Sequence, residues 1–246
     1  MIKPDTLIRN IPERKEEKRL PMEFGLLCWN VHKKNLGYRF HRFFGELCDR
    51  YRIDLLALQE VKIDPNTASS LNAYHFSMAP NMRFFRRTYG VLNGSLVPEY
   101  DSTALLSTHR EGVIQTRKSA IYSTYPMDNG ESLLMVNLHA INFRGSDIYR
   151  KEIEAVFDAI RHHHGAMIVT GDFNSWNQER VAYLMKLVGA LQLQIGEIEH
   201  PHLVKSFMNC RLDHIFYRGL KLIESCALDV KKVSDHNALY ARFRTL

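Results

Sequence analysis

Eight short apolar runs, separated by stretches of helical periodicity, constrain this chain more than any other feature. They are FGLLCWNV (24–31), IDLLALQEV (53–61), STALLST (102–108), SAIYST (119–124), SLLMVNLHAI (132–141), AMIVTGD (166–172), LDHIFYRG (212–219) and ALYARF (238–243). Each is short for a helix and rich in residues that suit a strand. Between them, Phe40, Phe43, Phe44, Leu47, Cys48 and Tyr51 form one apolar stripe, which predicts a helix over residues 38–51. Ile153, Val156, Phe157 and Ile160 repeat the pattern, with Ser146 or Asp147 as N-cap, and Val181, Leu184, Met185 and Val188 repeat it again. Strands alternating with amphipathic helices imply a layered α/β or α+β domain and exclude an all-β one.

A chain of 246 residues is long enough to bury one sizeable core. The expected organisation is a charged, aperiodic N-terminal arm (1–22) followed by one domain (23–246). No fixed-period repeat occurs, and the His162–His164 triplet reads as the solvated end of a helix. The 33 Lys and Arg exceed the 27 Asp and Glu by six, a mild bias towards polyanionic partners. Cys28, Cys48, Cys210 and Cys226 form no C-x-x-C pair, so the expectation is reduced thiols and no zinc site. The first 22 residues hold no apolar core of signal-peptide length, and no run approaches the roughly 20 apolar residues of a membrane span. These readings point to the cytoplasm, without stable membrane insertion. No obligate protein partner is inferred.

The stretch IVTGDFNSW (168–176) ends an apolar run in Asp172 and Asn174. In extended chain, residues two apart share a face, so the carboxylate and the amide point together while Phe173 turns towards the core. The same event recurs. Asn30 follows LLCW, Glu60 follows LLALQ, His139 follows LLMVNL, Asp213 opens a strand, and Asp235 and His236 precede one. Each residue alone has a plain reading as a turn, a cap, a surface charge or a structural histidine. The ordered set points instead to convergence beyond the strand ends, where open α/β sheets place their ligands.

The series WNVH (29–32), LQE (58–60), NLHAIN (137–142), GDFN (171–174), RLDHIF (211–216) and SDH (234–236) resembles the endonuclease/exonuclease/phosphatase superfamily, from residue 24 to the end. GDFN with a C-terminal SDH is its most specific part. The resemblance implies a DNase I-like four-layer α/β/β/α sandwich, with two mixed β-sheets packed face to face and helices outside. It further implies phosphoester hydrolysis with a divalent metal, usually Mg²⁺, with Mn²⁺ as substitute. Carried over position by position, Glu60 looks like the principal metal ligand, with Asn30 beside it and Asp235 as a further carboxylate near the metal. Asp172 would orient and deprotonate the attacking water, Asn174 would hold a phosphate oxygen, and Asp213 would orient His236. His139 takes the place of a His or Tyr near the leaving group, and Asn142 that of a phosphate contact. A hard cation that keeps several waters needs only such oxygen donors. The chain departs from the pattern at His32, where some members carry an acid. His32 is then a phosphate contact or a surface histidine.

The stretch NMRFFRRTYG (81–90) sets Arg83, Arg86 and Arg87 among Phe84, Phe85 and Tyr89. Cations interleaved with aromatics suit a nucleic-acid strand, a lipid interface or an ordinary surface loop. Three functions follow. The first is a metal-dependent phosphodiesterase acting on DNA or RNA. The second is a phosphatase or phospholipase acting on phosphoinositide or sphingomyelin-like substrates, disfavoured by the lack of an apolar membrane-inserting hairpin in the sequence. The third is a phosphate-binding module without turnover.

Overall fold

A computed structural model describes residues 7–10, 18–64, 71, 73–111, 116–230 and 233–246. The elements in chain order are β1 (Ile8–Asn10), β2 (Glu23–Asn30), α1 (Tyr38–Arg50), β3 (Leu55–Ile63), β4 (His75–Phe84), β5 (Arg87–Ser95), β6 (Asp101–Leu106), β7 (Ser119–Pro126), β8 (Ser132–His139), α2 (Ser146–Ile160), β9 (Ala166–Asp172), α3 (Gln178–Ala190), β10 (Gln194–Ile195), β11 (Ser206–Phe207), β12 (Cys210–Arg211), β13 (Asp213–Arg218), β14 (Leu220–Leu228) and β15 (Ala238–Thr245). Among the described residues one sheet runs β1-β4-β5-β3-β2-β15-β14, a second runs β10-β13-β9-β8-β7-β6, and β11-β12 form a separate ribbon. Both sheets are mixed: β2 lies parallel to β3 and β8 parallel to β9, while the other pairs are antiparallel.

The strands are apolar on both faces because both faces are covered. Leu26, Cys28, Leu55 and Ala57 of the first sheet meet Leu133, Met135, Ile168 and Ile215 of the second, which makes the inter-sheet core. The alternate residues Leu27, Trp29, Leu56 and Leu58 turn outward under Phe40, Phe44 and Leu47 of α1. On the opposite side, Val136, Leu138, Met167 and Val169 lie under α2 and α3. This is the expected α/β/β/α sandwich.

The inward-facing positions change character along each strand. Leu26 and Cys28 lead to Asn30, Leu55 and Ala57 to Gln59, Leu133 and Met135 to Asn137 and His139, and Ala166 and Ile168 to Thr170 and Asp172. One end of the inter-sheet core is therefore polar, and β13 enters it from the opposite direction at Asp213. The candidate site is this polar end.

Several elements differ from expectation. β4, β5 and β14 were not among the expected strands. Pro80 and the polar residues of β4, and Gly90 and Gly94 of β5, break the apolar pattern, and the pairing itself shifts register between Pro80 and Met82. α2 begins at Ser146 with Gly145 as N-cap and no side-chain cap, so neither Ser146 nor Asp147 holds that position. Most of the expected arm lies outside the described residues, but Ile8–Asn10 pairs with β4 and Leu20 bridges to Met127. Residues 81–90 are the end of the β4–β5 hairpin, whose tip leaves Phe84 61% and Phe85 85% exposed. The two rings are therefore exposed, where a plain surface loop would bury them, and they stand among the exposed Arg83, Arg86 and Arg87. All four cysteines are free thiols. No helix among the described residues is long and apolar enough to cross a membrane.

Candidate functional site

Glu60 reaches the polar end through a bulge. β3 and β5 pair through Leu58↔Leu92 and resume at Val61↔Gly90, so Gln59 and Glu60 oppose a single residue. Glu60 sits at φ 51, in the left-handed region, which turns its carboxylate into the cleft. The opposite sheet compensates for the interrupted ladder. Asn137 Nδ2 donates to the Leu58 and Leu92 carbonyls, at 3.2 and 2.9 Å, and its Oδ1 accepts from Gln59 Nε2 at 2.7 Å.

Asp172, at the end of β9, is 2% exposed. Its Oδ2 accepts from Asn30 Nδ2 at 3.0 Å, and its Oδ1 accepts from the Asn174 backbone N–H at 3.1 Å. That second bond holds Asn174 at φ 47, and the Asn174 side chain donates to the Ala140 carbonyl at 2.9 Å. His139 Nε2 lies 3.6 Å from Asp172 and 3.9 Å from Glu60. His236 Nδ1 hydrogen-bonds Asp213 at 2.9 Å and its Nε2 stands 3.8 Å from Asp172. The SDH segment is tied down by Ser234, whose hydroxyl donates to the Asn30 carbonyl and accepts from His236 N–H, and by Trp29 Nε1, which donates to the His236 carbonyl. Glu60, Asp172 and His236 thus share one cleft, linked through His139.

Burial separates the charge states of these groups. It pushes the Asp172 carboxyl above its ordinary range, against His139. It pulls His139 down to about 4, together with the Lys118 charge. Burial also acts to lower His236, but the adjoining Asp213 carboxylate outweighs it and raises the imidazole to about 9. Burial acts to raise Glu60, yet His139, Lys33 and Lys118 bring it down to about 2. Asp235 is likewise lowered: against burial, His236, Lys205 and His32 hold it ionised. At neutral pH the cleft therefore contains a cationic His236 and a neutral His139.

Asn142 and His32 line the same cavity, of about 580 Å³, and His32 Nδ1 pairs with Asp235 at 2.7 Å. Arg83, Arg86 and Arg87 belong to the β4–β5 hairpin end and do not line that cavity.

Three groups at the site carry no motif signal in the sequence: Lys118, Glu111 and Arg180. Lys118 donates to His139 Nε2 at 2.9 Å; an ammonium cannot accept, so the neutral ring carries its proton on Nδ1. Glu111, 5% exposed, stands 3.7 Å from Lys118 and accepts from the Asn142 backbone N–H. Both lie outside any periodic run. Arg180 is fully buried, stacked over Tyr149 at 4.4 Å and Trp176 at 4.6 Å. Its guanidinium donates to the carbonyls of Asn174 at 2.8 Å, Asn142 at 2.9 Å, Arg144 at 2.5 Å and Ile141 at 3.3 Å, so one cation ties together the loops after β8 and β9. Its signal was positional: Arg180 lies one turn before Leu184 on the buried face of α3. His214 alternates with Asp213, points away from the cleft, and meets Ser175 Oγ at 2.9 Å and the ring of Phe216.

The donor set suits a hard cation. Asp213 Oδ1 is a buried carboxylate oxygen with no hydrogen-bond partner. Asp172, Asp213 and His236 bring possible ligand atoms within 4.8 Å of one another, a different set from the expected Glu60, Asn30 and Asp235, and one in which the imidazole can ligate only after losing its proton. Two ammonium groups stand beside the other carboxylates, Lys33 at 2.6 Å from Glu60 and Lys205 at 3.2 Å from Asp235. Carboxylate and amide oxygens without a thiolate are the donors that Mg²⁺ and similar ions select.

Two face-to-face mixed sheets, outer helices and a cleft of carboxylates and imidazoles at the strand ends define the class of DNase I-like α/β sandwiches. The model of the Endonuclease/Exonuclease/phosphatase family matches residues 27–236, and the chain belongs to that family. A UPF0294 protein of Vibrio cholerae serotype O1 is 34% identical over 228 residues, 91% of this chain and 79% of the relative. Among solved structures, the human Nocturnin catalytic domain with bound sulfate superposes with a TM-score of 0.68 at 20% identity, covering 93% of this chain and 97% of that one. TDP2 of D. rerio, complexed with single strand DNA product, gives a TM-score of 0.66 at 17% identity, covering 91% of this chain and 99% of that one. Members of this family are in general hydrolases of phosphoester bonds that use divalent metal ions.

Proposed function

We propose that the chain is a Mg²⁺-dependent phosphodiesterase acting on nucleic acid, with residues 23–246 as its catalytic domain. The observation that carries this reading is the buried juxtaposition of Asp172 with His236, the latter held by Asp213 at 2.9 Å. A binding module needs no such pair, because a raised carboxylate and a carboxylate-held imidazolium serve proton transfer and transition-state charge. The retained acid and histidine therefore weigh against a silent phosphate-binding site.

Glu60, Asn30 and Asp235 would hold the ion, which when bound supplies Lewis-acid polarisation of the phosphate and offsets its charge. Asp172, fixed by Asn30 and the Asn174 N–H, orients the attacking water and accepts its proton. Burial raises its basicity for that step. The second side-chain N–H of Asn174 donates to a phosphate oxygen, with Asn142 and His32 as further contacts. The His236 imidazolium stabilises negative charge on the phosphate as the transition state forms. His139, neutral and fixed in tautomer by Lys118, stands near the leaving group. Arg83, Arg86 and Arg87 contact the strand outside the cleft.

The test is hydrolysis of bis-p-nitrophenyl phosphate and of labelled DNA and RNA in Mg²⁺, with Asp172→Ala as control. The expected result is a loss of about 10²–10⁴-fold in the variant and abolition by EDTA. Equal rates in both proteins, or activity surviving excess chelator, would exclude the reading. A second reading, a phosphatase or phospholipase acting on phosphoinositide or sphingomyelin-like substrates, is favoured by the exposed Phe84 and Phe85 among three arginines. Inositol phosphates and sphingomyelin in the same panel separate the two.

A further inference from the structure

Three aromatic rings from three separate segments converge on the mouth of the 580 Å³ cavity: Phe143 after β8, Trp176 after β9 and Phe207 in β11. Phe143 is 77% exposed and Phe207 59%. Trp176 already lies against the Arg180 guanidinium and meets Phe207 edge-on, with centroids 6.3 Å apart and planes at 83°. Scattered surface apolar residues need no explanation, but large rings left in water around a cavity with carboxylates and imidazoles among its lining do. The ribbon that carries Phe207 turns at Met208 and Asn209, both at positive φ (50 and 62), the geometry of a tight two-residue hairpin. Its far strand is anchored, with Cys210 buried and the Arg211 carbonyl accepting from Ser175 Oγ at 2.7 Å, whereas Phe207 and Met208 are left exposed. Lys205, just before the ribbon, lines the same cavity.

We propose that this rim is a stacking site for an unpaired nucleobase, and hence that the substrate is single-stranded nucleic acid. The inference rests on the phosphodiesterase reading and deepens it. A nucleotide carries a flat π-face one sugar away from its phosphate. With the phosphate on the cleft floor beside Asn174 and His236, the base lies against Phe207 and Phe143. Stacking on aromatic side chains tolerates any base, since every base has such a face, and Lys205 adds a cation where the strand's next phosphate passes. A duplex cannot use the rim without opening, because its bases are paired and only their edges reach the grooves. An acyl chain has no flat face to match, and the rings border a concave cavity with buried polar groups at its base.

The experiment compares cleavage, in Mg²⁺, of octathymidylate, of a baseless tetrahydrofuran strand of equal length and charge, and of a duplex containing octathymidylate. The proteins are wild type, Phe207→Ala, Phe207→Trp and Phe143→Ala. Phe207 is 59% exposed, so its truncation leaves the core intact. In the wild type, kcat/KM for the base-bearing strand is expected to exceed that for the baseless strand by about 10-fold, through KM. Phe207→Ala brings the two within about twofold, Phe143→Ala reduces the ratio, and Phe207→Trp keeps it. Cleavage without base preference in the wild type, a ratio unchanged in both alanine variants, or faster cleavage of the duplex overturns the inference while leaving phosphodiester hydrolysis standing. Cosedimentation with phosphatidylserine vesicles that is lost in Phe207→Ala assigns the ribbon to lipid and also overturns it. Failure to cleave any strand removes the nuclease reading itself, and the inference with it.

Discussion

At the scale of single residues, the cleft shows how one environment drives two imidazoles apart. His139 has no carboxylate in hydrogen-bond contact and stays neutral; His236 has Asp213 at 2.9 Å and is raised to about 9. The folded value of His236 lies above the ordinary histidine value of about 6.5. Stability from the pair is therefore complete below about pH 6.5 and is lost as pH rises through about 9. On the proposed mechanism, hydrolysis is expected to fall along the same alkaline limb in a pH–rate profile. Asp213→Asn is expected to move that limb down by at least about one pH unit in a kcat/KM profile, because the neutral amide no longer favours the cation. Arg180 is the other residue that acts beyond its own volume. Arg180→Met removes the guanidinium from the Asn174 and Arg144 carbonyls, and leaves Asn142 with only the Arg144 N–H, so a cost of about 3 kcal/mol is expected in the urea-denaturation free energy. Arg180→Lys restores only part of it, since an ammonium cannot span four carbonyls from between two rings.

At the scale of elements, the site depends on irregularities in otherwise regular strands. The bulge at Gln59 and Glu60 aims the carboxylate, and Gly171 lets β9 pass close to β8. Gly171 has φ +139, and a Cβ there would stand 2.0 Å from the Leu138 carbonyl oxygen. Gly171→Ala is therefore expected to cost about 2 kcal/mol or more and to displace its neighbour Asp172. Thermal unfolding reads the first effect, and loss of hydrolysis out of proportion to the change in melting temperature reads the second. The helices were legible at this scale because apolar positions recur with their period: Phe40, Phe44 and Leu47 are the buried face of α1, as the stripe predicts. β4 and β5 were not, because Pro80, Gly90 and Gly94 interrupt the alternation that marks a strand, and neighbouring strands supply the missing order.

At the scale of the whole molecule, two sheets are held in register by polar bonds as well as by apolar burial. Asn137 of β8 donates to carbonyls of both β3 and β5 at the last pair before the bulge, so the device that exposes Glu60 is braced by the opposite sheet. Asn137→Leu keeps the volume but removes the side-chain donor from those two carbonyls and the Oδ1 acceptor from Gln59. A loss of about 2–3 kcal/mol is expected by chemical denaturation, with a fall in activity as Glu60 loses its fixed direction. The sequence by itself determined the layered class of the fold, the helix faces and the identity of the polar residues at the strand ends, because period and residue type are local properties of a chain. Only the tertiary structure decided that Lys118 sets the tautomer of His139, that Arg180 binds two loops, and that Phe143, Trp176 and Phe207 share one rim. Those relations join residues tens of positions apart, and their energies exist only once the sheets have closed around a common dry interior.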